Sequence, residues 1–588
     1  MLQDIKFQIQ TVLANIGIDQ AELATPPNSE MGDFAFPCFQ KAKAEGKNPA
    51  EVAIEIAQQL NDVFQKEDMK QSSLIREVKA FGPYVNFFLD EKELARFVLS
   101  GMGENYGEHD IGSGKQVLIE FGCPNPMKVF HLGHLKNLIT GEAVVRTFEN
   151  AGYDVVRTNY QGDVGMHIAK VLWGVLHGET FGANGSWDTA DKTMTEISKL
   201  GLEERIAIVG KAYAEGATAY EAGGAVEDDI RHLNELVYEK DPRIQTVYNT
   251  ARQWSLEYFD TIYKKLDSHF DKMYFESETF ERGIELVQEG KDRGIFRESE
   301  GAIIFSGSEY DLHDRVFINS KGYPTYEGKE LALAEKHFSD FDPHMVIHVV
   351  GKEQTGYFQV VIKALEQLMP QTTGREYHLV GGYLQLKGNQ KMSSRSGNVI
   401  SGDALIGEVE EGIQAILANR EETHDLPEDV VATITAASLK YAMLKANVSE
   451  DVAFDMEETV STSGDSGPYL LYIVARINSI LDKIQDTRSK QFPISNFQFL
   501  ISLEEKQLLL ILAEYTEVTK KAVESYDPSH VAKYTFELAQ AFNAFYANCP
   551  VLDAEADVQA FRVALIRAVR DVMTRGLLLL GIETVERM

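Results

Sequence analysis

Two histidines three residues apart, His131 and His134, stand in the segment PNPMKVFHLGHLK at 124–136. At the start of a helix this spacing puts both rings on one face, beside the unpaired backbone N–H groups of the first turn, a place that attracts phosphate. Lys128, just upstream, adds a positive charge, and Gly133 removes a side chain where a planar base could approach the backbone. A second segment, KMSSRSGN at 391–398, is rich in Ser and Gly. A loop of this kind, headed by Lys391 with Ser393 and Ser394 behind it, is suited to close over a triphosphate and to stabilise charge on a departing pyrophosphate. Taken singly, the histidines read more readily as a surface pair, and the second segment equally as a surface loop. Together they point to nucleotide chemistry.

The elements around these segments must position them. VLIEF, the Gly/Pro loop GCPNPMKVFHLGHLKN, a helix through 150 and the strand-like YDVVRTNY form a βαβ unit, which implies a parallel sheet. Residues 175–270 have helical spacing and read as an insertion, after which AIIF, VIHVV and YHLVGGYLQL are expected to complete the sheet. Ahead of this core, residues 1–92 read as a small α/β domain with amphipathic helices at 2–16 and 49–65 and the strand YVNFFL at 84–89. Beyond 405 nearly all is helical in pattern, with Pro/Gly breaks near 427, 467, 493 and 550. The expected architecture is a Rossmann-type α/β core at 115–400 with its helical insertion, a connecting helical region at 401–455 and a C-terminal helical bundle at 456–588.

Composition agrees. A chain of 588 residues should hold about three to five domains, too many for a single binding module. Its 44% hydrophobic and 25% charged residues are those of ordinary globular chains. No run is apolar enough to span a membrane and the N-terminus MLQDIKFQIQ is unlike a signal peptide, so a cytoplasmic protein with no membrane partner is expected. Cys38, Cys123 and Cys549 are too scattered for a disulfide framework or a cysteine zinc site. The net charge of −33 argues against a phosphate-backbone partner, yet such binding depends on a local basic strip, not on the total.

HLGH and KMSSR resemble the two signature motifs of class I aminoacyl-tRNA synthetases, and their surroundings resemble the arginyl-tRNA synthetases in particular. IEFGCPNPMKVFHLGHLK is similar to that family's E-F-S-S-P-N-x-x-K-x-x-H-x-G-H-L-R, matching at Glu120, Phe121, Pro124, Asn125, Lys128, His131, Gly133, His134 and Leu135. TNYQGDVG at 158–165, VVGKEQTGYF at 349–358, SGPYLLYIVAR at 466–476, the terminal VERM and the N-terminal GDFAF and GKNPAEVAIEIA segments resemble further family stretches in the family's order. The departures are Cys123 for Ser, Lys136 for Arg, Val164 for Trp, Tyr357 for His, and Ser394 and Ser396 where relatives carry lysines.

The resemblance implies ATP-dependent attachment of L-arginine to tRNA(Arg) through an arginyl-adenylate, with activation of arginine requiring bound tRNA. Lys128, His131, His134 and Lys391 would be catalytic, and Gly133, Lys391, Ser393 and Ser394 would hold ATP. Magnesium would arrive with ATP, no protein-bound metal is expected, and the chain would act as a monomer. A guanidinium pocket requires carboxylates to match its charge and donors. Glu120 and Glu330 would supply them, Glu330 in GYPTYEGKELALA standing where the family has Asp, with Tyr326 as a hydrogen-bonding wall and Asn125 and Gln354 at the α-amino end. Tyr546 and Met588 would contact tRNA bases. Two other readings are a different HxGH nucleotidyl-transferring enzyme and a non-catalytic tRNA-binding relative, the latter favoured by the missing loop lysine.

Overall fold

The protein is described by a computed structural model covering residues 1–64, 74–387, 401–418, 427–484 and 499–588. The N-terminal unit comprises α1 (Leu2–Ala14), β1 (Phe34–Pro37), α2 (Phe39–Glu45), α3 (Pro49–Phe64), β2 (Ile75–Phe81) and β3 (Tyr84–Leu89). Its sheet is antiparallel with β3 in the middle, which is why YVNFFL carries almost no exposed position. Asp90 caps α4 (Glu91–Gly101) by accepting from the N–H groups of Lys92 and Glu93.

The core opens with β4 (Gln116–Glu120), α5 (Leu132–Asn150), β5 (Asp154–Gln161) and α6 (Met166–His177). Four helices follow, α7 (Trp187–Ile197), α8 (Leu202–Ala222), α9 (Ala225–Tyr238) and α10 (Gln245–Lys265), packed with α6 around their own apolar cluster. The chain then returns through β6 (Lys272–Phe275) and α11 (Glu276–Asp292). After β7 (Phe296–Ser299), β8 (Ala302–Phe305) and β9 (Arg315–Ile318) come α12 (Tyr326–Asp340), β10 (Met345–Gly351), α13 (Thr355–Leu368) and β11 (Glu376–Gly381). The main sheet is parallel throughout, in the order β11-β10-β4-β5-β6.

Two expectations need correction. AIIF does not join the parallel sheet: Glu300 and Gly301 both take positive φ, 49° and 79°, and this two-residue turn folds β8 back on β7 in a separate antiparallel sheet with β9. YLQL likewise leaves the sheet, because at Gly382 the backbone passes so close to Glu450 that a Cβ would lie 2.0 Å from its carbonyl oxygen. From there β12 (Leu384–Leu386) pairs with β13 (Val452–Phe454). The short strand β6, which the sequence reading does not separate from the insertion, closes the other edge.

The C-terminal helices are α14 (Gly402–Ala418), α15 (Glu428–Leu444), α16 (Met456–Val460), α17 (Gly467–Lys483), α18 (Leu503–Glu524), α19 (Ser529–Asn548) and α20 (Ala556–Leu579). Ser466 caps α17, and Ser502 with Glu505 forms a capping box on α18. A buried ion pair ties the ends of the chain together: Lys506 on α18 reaches Asp33 beside β1 at 2.7 Å. Among the described residues no helix is long and apolar enough to cross a membrane.

Candidate active site

The strand order reverses at β4: β5 and β6 extend the sheet on one side, β10 and β11 on the other. In an open parallel sheet a ligand settles outside the carboxyl ends of the strands at that switch point. Glu120, the last residue of β4, lies there, and its Cα partner across the ladder is His348 of β10. The loop leaving β4 leads directly to the histidine pair.

His131 is the N-cap of α5. Its Nδ1 accepts from the N–H groups of Gly133 and His134 at 3.1 and 3.3 Å, while the Nδ1 of His134 accepts from the N–H of His131 at 3.3 Å. The rings stack with centroids 3.6 Å apart. With both Nδ1 atoms accepting, the neutral rings must carry their protons on Nε2, leaving two N–H donors available beside the helix N-terminus. Loss of solvation, with the Lys128 charge adding to it, pushes His131 down to about 4; loss of solvation and the neighbouring His131 and Lys128 push His134 well below the ordinary histidine value, so both rings are neutral near pH 7. A Cβ on Gly133 would come within 3.0 Å of the His131 ring, so the glycine is what lets that ring fold back onto the first turn.

Behind the histidines lies a buried acidic cluster. Glu120 and Glu330 are 5% and 7% exposed. His348 Nδ1 stands 3.0 Å from Glu120 Oε1, its Nε2 stands 2.8 Å from Glu376 Oε2, and its Nδ1 is 3.9 Å from Glu330 Oε1. The Tyr357 hydroxyl donates to Glu330 Oε2 at 3.0 Å. Burial and the nearby Glu120 push the Glu330 carboxyl up to about 8. Burial works on Glu120 in the same direction, but His348 overrides it and holds Glu120 below the ordinary value. The loop from β4 thus joins a helix N-terminus that carries two imidazole N–H donors to a strand end in a buried cluster of three carboxylates and one histidine.

The profile described as "tRNA synthetases class I (R), catalytic domain" matches residues 99–456. Those described as "DALR anticodon binding domain" and "Arginyl tRNA synthetase N terminal domain" match 470–588 and 3–89. An arginine–tRNA ligase of Clostridium botulinum is 31% identical over 98% of this chain and 97% of its own. The chain belongs to the arginyl-tRNA synthetase family. A Treponema denticola arginine–tRNA ligase is also 31% identical, over the whole of both chains. The arginyl-tRNA synthetase of Thermus thermophilus, 22% identical, has the same fold along the full length of both chains with a TM-score of 0.74.

The remaining synthetase residues singled out from the sequence fall as follows. Asn125 is half-buried, and its Oδ1 accepts the Gly162 N–H at 3.1 Å. Gln354 is half-buried at the start of α13. Tyr326, the first residue of α12, is 59% exposed with the Lys329 ammonium 4.6 Å over its ring; the hydroxyl that reaches Glu330 belongs to Tyr357. Lys128 is half-buried, and burial, then Lys170, lowers it while Glu276 opposes. Glu276 itself forms a buried ion pair of 2.6 Å with Lys329. Lys391, Ser393 and Ser394 lie outside the described residues; the chain resumes at Ser401, which bridges to His131.

In the bundle Tyr546 is 43% exposed, and the Arg476 guanidinium lies over its ring at 5.2 Å and over that of Tyr472 at 4.5 Å. Met588 is half-buried against the bundle. Among the described residues one group could hold a metal: Glu120, Glu330 and His348, whose ligand atoms lie within 4.8 Å of one another. Both His348 nitrogens already face carboxylates there.

His348 and Glu376 are functional candidates that the motif reading passes over, and Tyr357, noted there only as a departure, is a third. The signal available for them was weak. A histidine inside the apolar run VIHVV is ordinarily a satisfied core residue, and only the ladder register sets it opposite Glu120.

Proposed function

We propose that this chain joins L-arginine to tRNA(Arg) with ATP through an arginyl-adenylate. The observation that carries the reading is the pair of buried carboxylates, Glu120 at the end of the strand that leads to the histidine donors and Glu330 on α12. A guanidinium, with one charge and a planar fork of donors, suits two acidic side chains of which only Glu120 is hydrogen-bonded to the resident imidazole.

In this mechanism a carboxylate oxygen of arginine attacks the α-phosphorus of ATP in line, and the bond to the bridging oxygen of the β-phosphate breaks. Pyrophosphate leaves, and a terminal ribose hydroxyl of tRNA then displaces AMP from the acyl group. His131 and His134 donate Nε2–H to phosphate oxygens, Lys128 supplies charge to the phosphates, and Lys391 is assigned the departing pyrophosphate. Donors fixed before the reaction stabilise the charge that grows at phosphorus without reorganising. Asn125 and Gln354 hold the α-amino end, and Tyr326 forms the aromatic rim. Magnesium comes bound to ATP, as substrate. Tyr546, Arg476 and Met588 form the tRNA-facing surface of the bundle.

The test is charging of total tRNA with labelled arginine, alongside arginine-dependent pyrophosphate exchange with and without tRNA. Charging with arginine is expected, exchange should need tRNA, and citrulline and lysine should be rejected by about 10⁴ or more, since each leaves a buried carboxylate unpaired. Equal exchange with lysine would refute the pocket assignment.

A further inference from the structure

We propose that His348 is a positioning and specificity-determining residue of the amino-acid pocket: seated between Glu120 and Glu376, it is the resident cation that orients Glu120 and reserves Glu330 for an incoming guanidinium. The inference rests on the arginine reading above.

Geometry makes the case. Three carboxylates converge from three elements, Glu120 from β4, Glu330 from α12 and Glu376 from β11. Both nitrogens of His348 meet carboxylate oxygens, at 3.0 and 2.8 Å. A neutral ring has one N–H and would set its bare nitrogen against an oxygen lone pair, so the partners select the imidazolium. Burial opposes that charge, but Glu120 and then Glu376 hold the ring protonated well above the ordinary histidine range.

Among the described residues the remaining neighbours add no second cation. His337 on α12, with its Nε2 3.8 Å from Glu120 Oε2, is pushed by burial to about 4, and His378 on β11 is also lowered by burial. Tyr357 from α13, Tyr160 from β5 and Cys123 from the loop after β4 are held in their neutral forms chiefly by burial. Phe358 lies against the His348 ring at 4.9 Å.

One imidazolium therefore faces three carboxylates, and the geometry divides the acceptors. Glu120 spends Oε1 on His348 and leaves the buried Oε2 without a hydrogen bond among the described residues. Glu330 spends Oε2 on Tyr357, while its Oε1 stays 3.9 Å from His348, beyond hydrogen-bond reach. One acceptor remains on each acid, the arrangement a fork of N–H donors requires. Until that fork arrives Glu330 keeps a proton, which the guanidinium displaces.

The experiment measures the arginine KM from pH 6.5 to 9 in tRNA-dependent pyrophosphate exchange, for the wild-type chain and His348→Gln. In the wild type KM should fall about tenfold between pH 7 and pH 9 as Glu330 ionises. In His348→Gln, KM at pH 7 should rise by about thirtyfold or more with kcat at saturating arginine within about threefold, and the midpoint of the pH dependence should move about one pH unit higher, because the carboxylates lose their shared cation. An unchanged profile overturns the proposal, and so does a parallel loss of kcat with an unmoved midpoint, which marks a merely structural residue. Should the variant fail to fold, titration calorimetry of L-arginine into the wild-type chain at pH 7 in phosphate and in Tris decides: release of most of one proton per arginine supports the proposal, and none overturns it. A wild-type chain that neither charges tRNA with arginine nor binds arginine overturns the arginine reading as well, whereas normal charging with an indifferent His348→Gln removes only the role of His348.

Discussion

His131 does two jobs with its two nitrogens, and substitution can separate them. Nδ1 accepts from the N–H groups of Gly133 and His134 and so caps α5; Nε2 is the donor available to a phosphate. Asparagine places its carbonyl oxygen about where Nδ1 sits and has nothing at Nε2, so His131→Asn keeps the cap and removes the donor. Loss of a helix cap costs about 0.5–2 kcal/mol of stability, whereas loss of one preorganised donor to a transition state costs roughly 2.7–4 kcal/mol, or 10²–10³ in rate. His131→Asn should therefore unfold like the wild type yet form adenylate about 10²–10³-fold more slowly, with the KM for ATP changed less than about threefold. His131→Ala should lose the cap as well and unfold at lower denaturant.

The assay is single-turnover adenylate formation at saturating arginine and ATP with tRNA present, alongside a denaturant titration. An Asn variant within tenfold of wild type would refute the donor role, and an Ala variant as stable as the Asn variant would refute the cap. Because His131 is pushed down to about 4, both histidines are neutral throughout pH 6 to 8, and the chemical step should show no histidine titration in that range. A rate rising with a histidine-like midpoint as pH falls toward 6 would mean that the imidazolium is the active form.

Glu330→Gln should abolish the pH dependence of the arginine KM and lower kcat/KM for arginine at pH 8 by roughly 10³ with ATP binding intact, since the substrate charge loses its partner; retention within tenfold would dismiss Glu330 as a ligand. Glu330→Asp should keep more activity when combined with Tyr357→His than alone, because the shortened acid abandons the Tyr357 hydroxyl; a double variant no better than the single one would show the two positions to be independent. Lys128→Ala should slow adenylate formation as severely as Lys391→Ala with little change in the arginine KM, and a loss under about threefold would mean that another cation serves the phosphates. Arg476→Ala and Tyr546→Ala should each weaken tRNA binding by about tenfold, the scale of one stacked base, and wild-type affinity should fall with salt despite the net charge of −33; tRNA affinity indifferent to these changes and to salt would place the contact elsewhere.

Local signals carried much of the architecture into the sequence. The Pro-bounded loop between an apolar strand and an HLGH helix start places His131 and His134 at the start of a helix, and the long amphipathic runs of the insertion and the bundle are helices in the structure. What escaped was non-local. AIIF and VIHVV look alike as short apolar runs, yet one is paired by the hairpin turn at Glu300 and Gly301 and the other lies between β11 and β4, the latter more than two hundred residues away. Glu120 and Glu330 were named through the family resemblance, but His348 and Glu376 escaped for the same reason: nothing near His348 in the chain marks it, and its partners arrive from β4, α12 and β11.

The same contacts recast the departures from the family pattern. Read along the chain, Glu330 for Asp and Tyr357 for His are two separate substitutions; in space they meet at 3.0 Å, hydroxyl to carboxylate. The extra methylene of Glu330 carries its charge about one bond length from the helix, and a phenol hydroxyl reaches to take it. A histidine at 357 would instead bring a second imidazole toward His348, whose positive charge already serves Glu120 and Glu376. With the longer Glu330 in place an imidazolium there would pair with the acid, whereas a phenol, kept neutral by burial, donates to Glu330 without neutralising it. The pair of changes thus alters the length and the hydrogen bonding of the acid while keeping a buried carboxylate where the proposed guanidinium would pair.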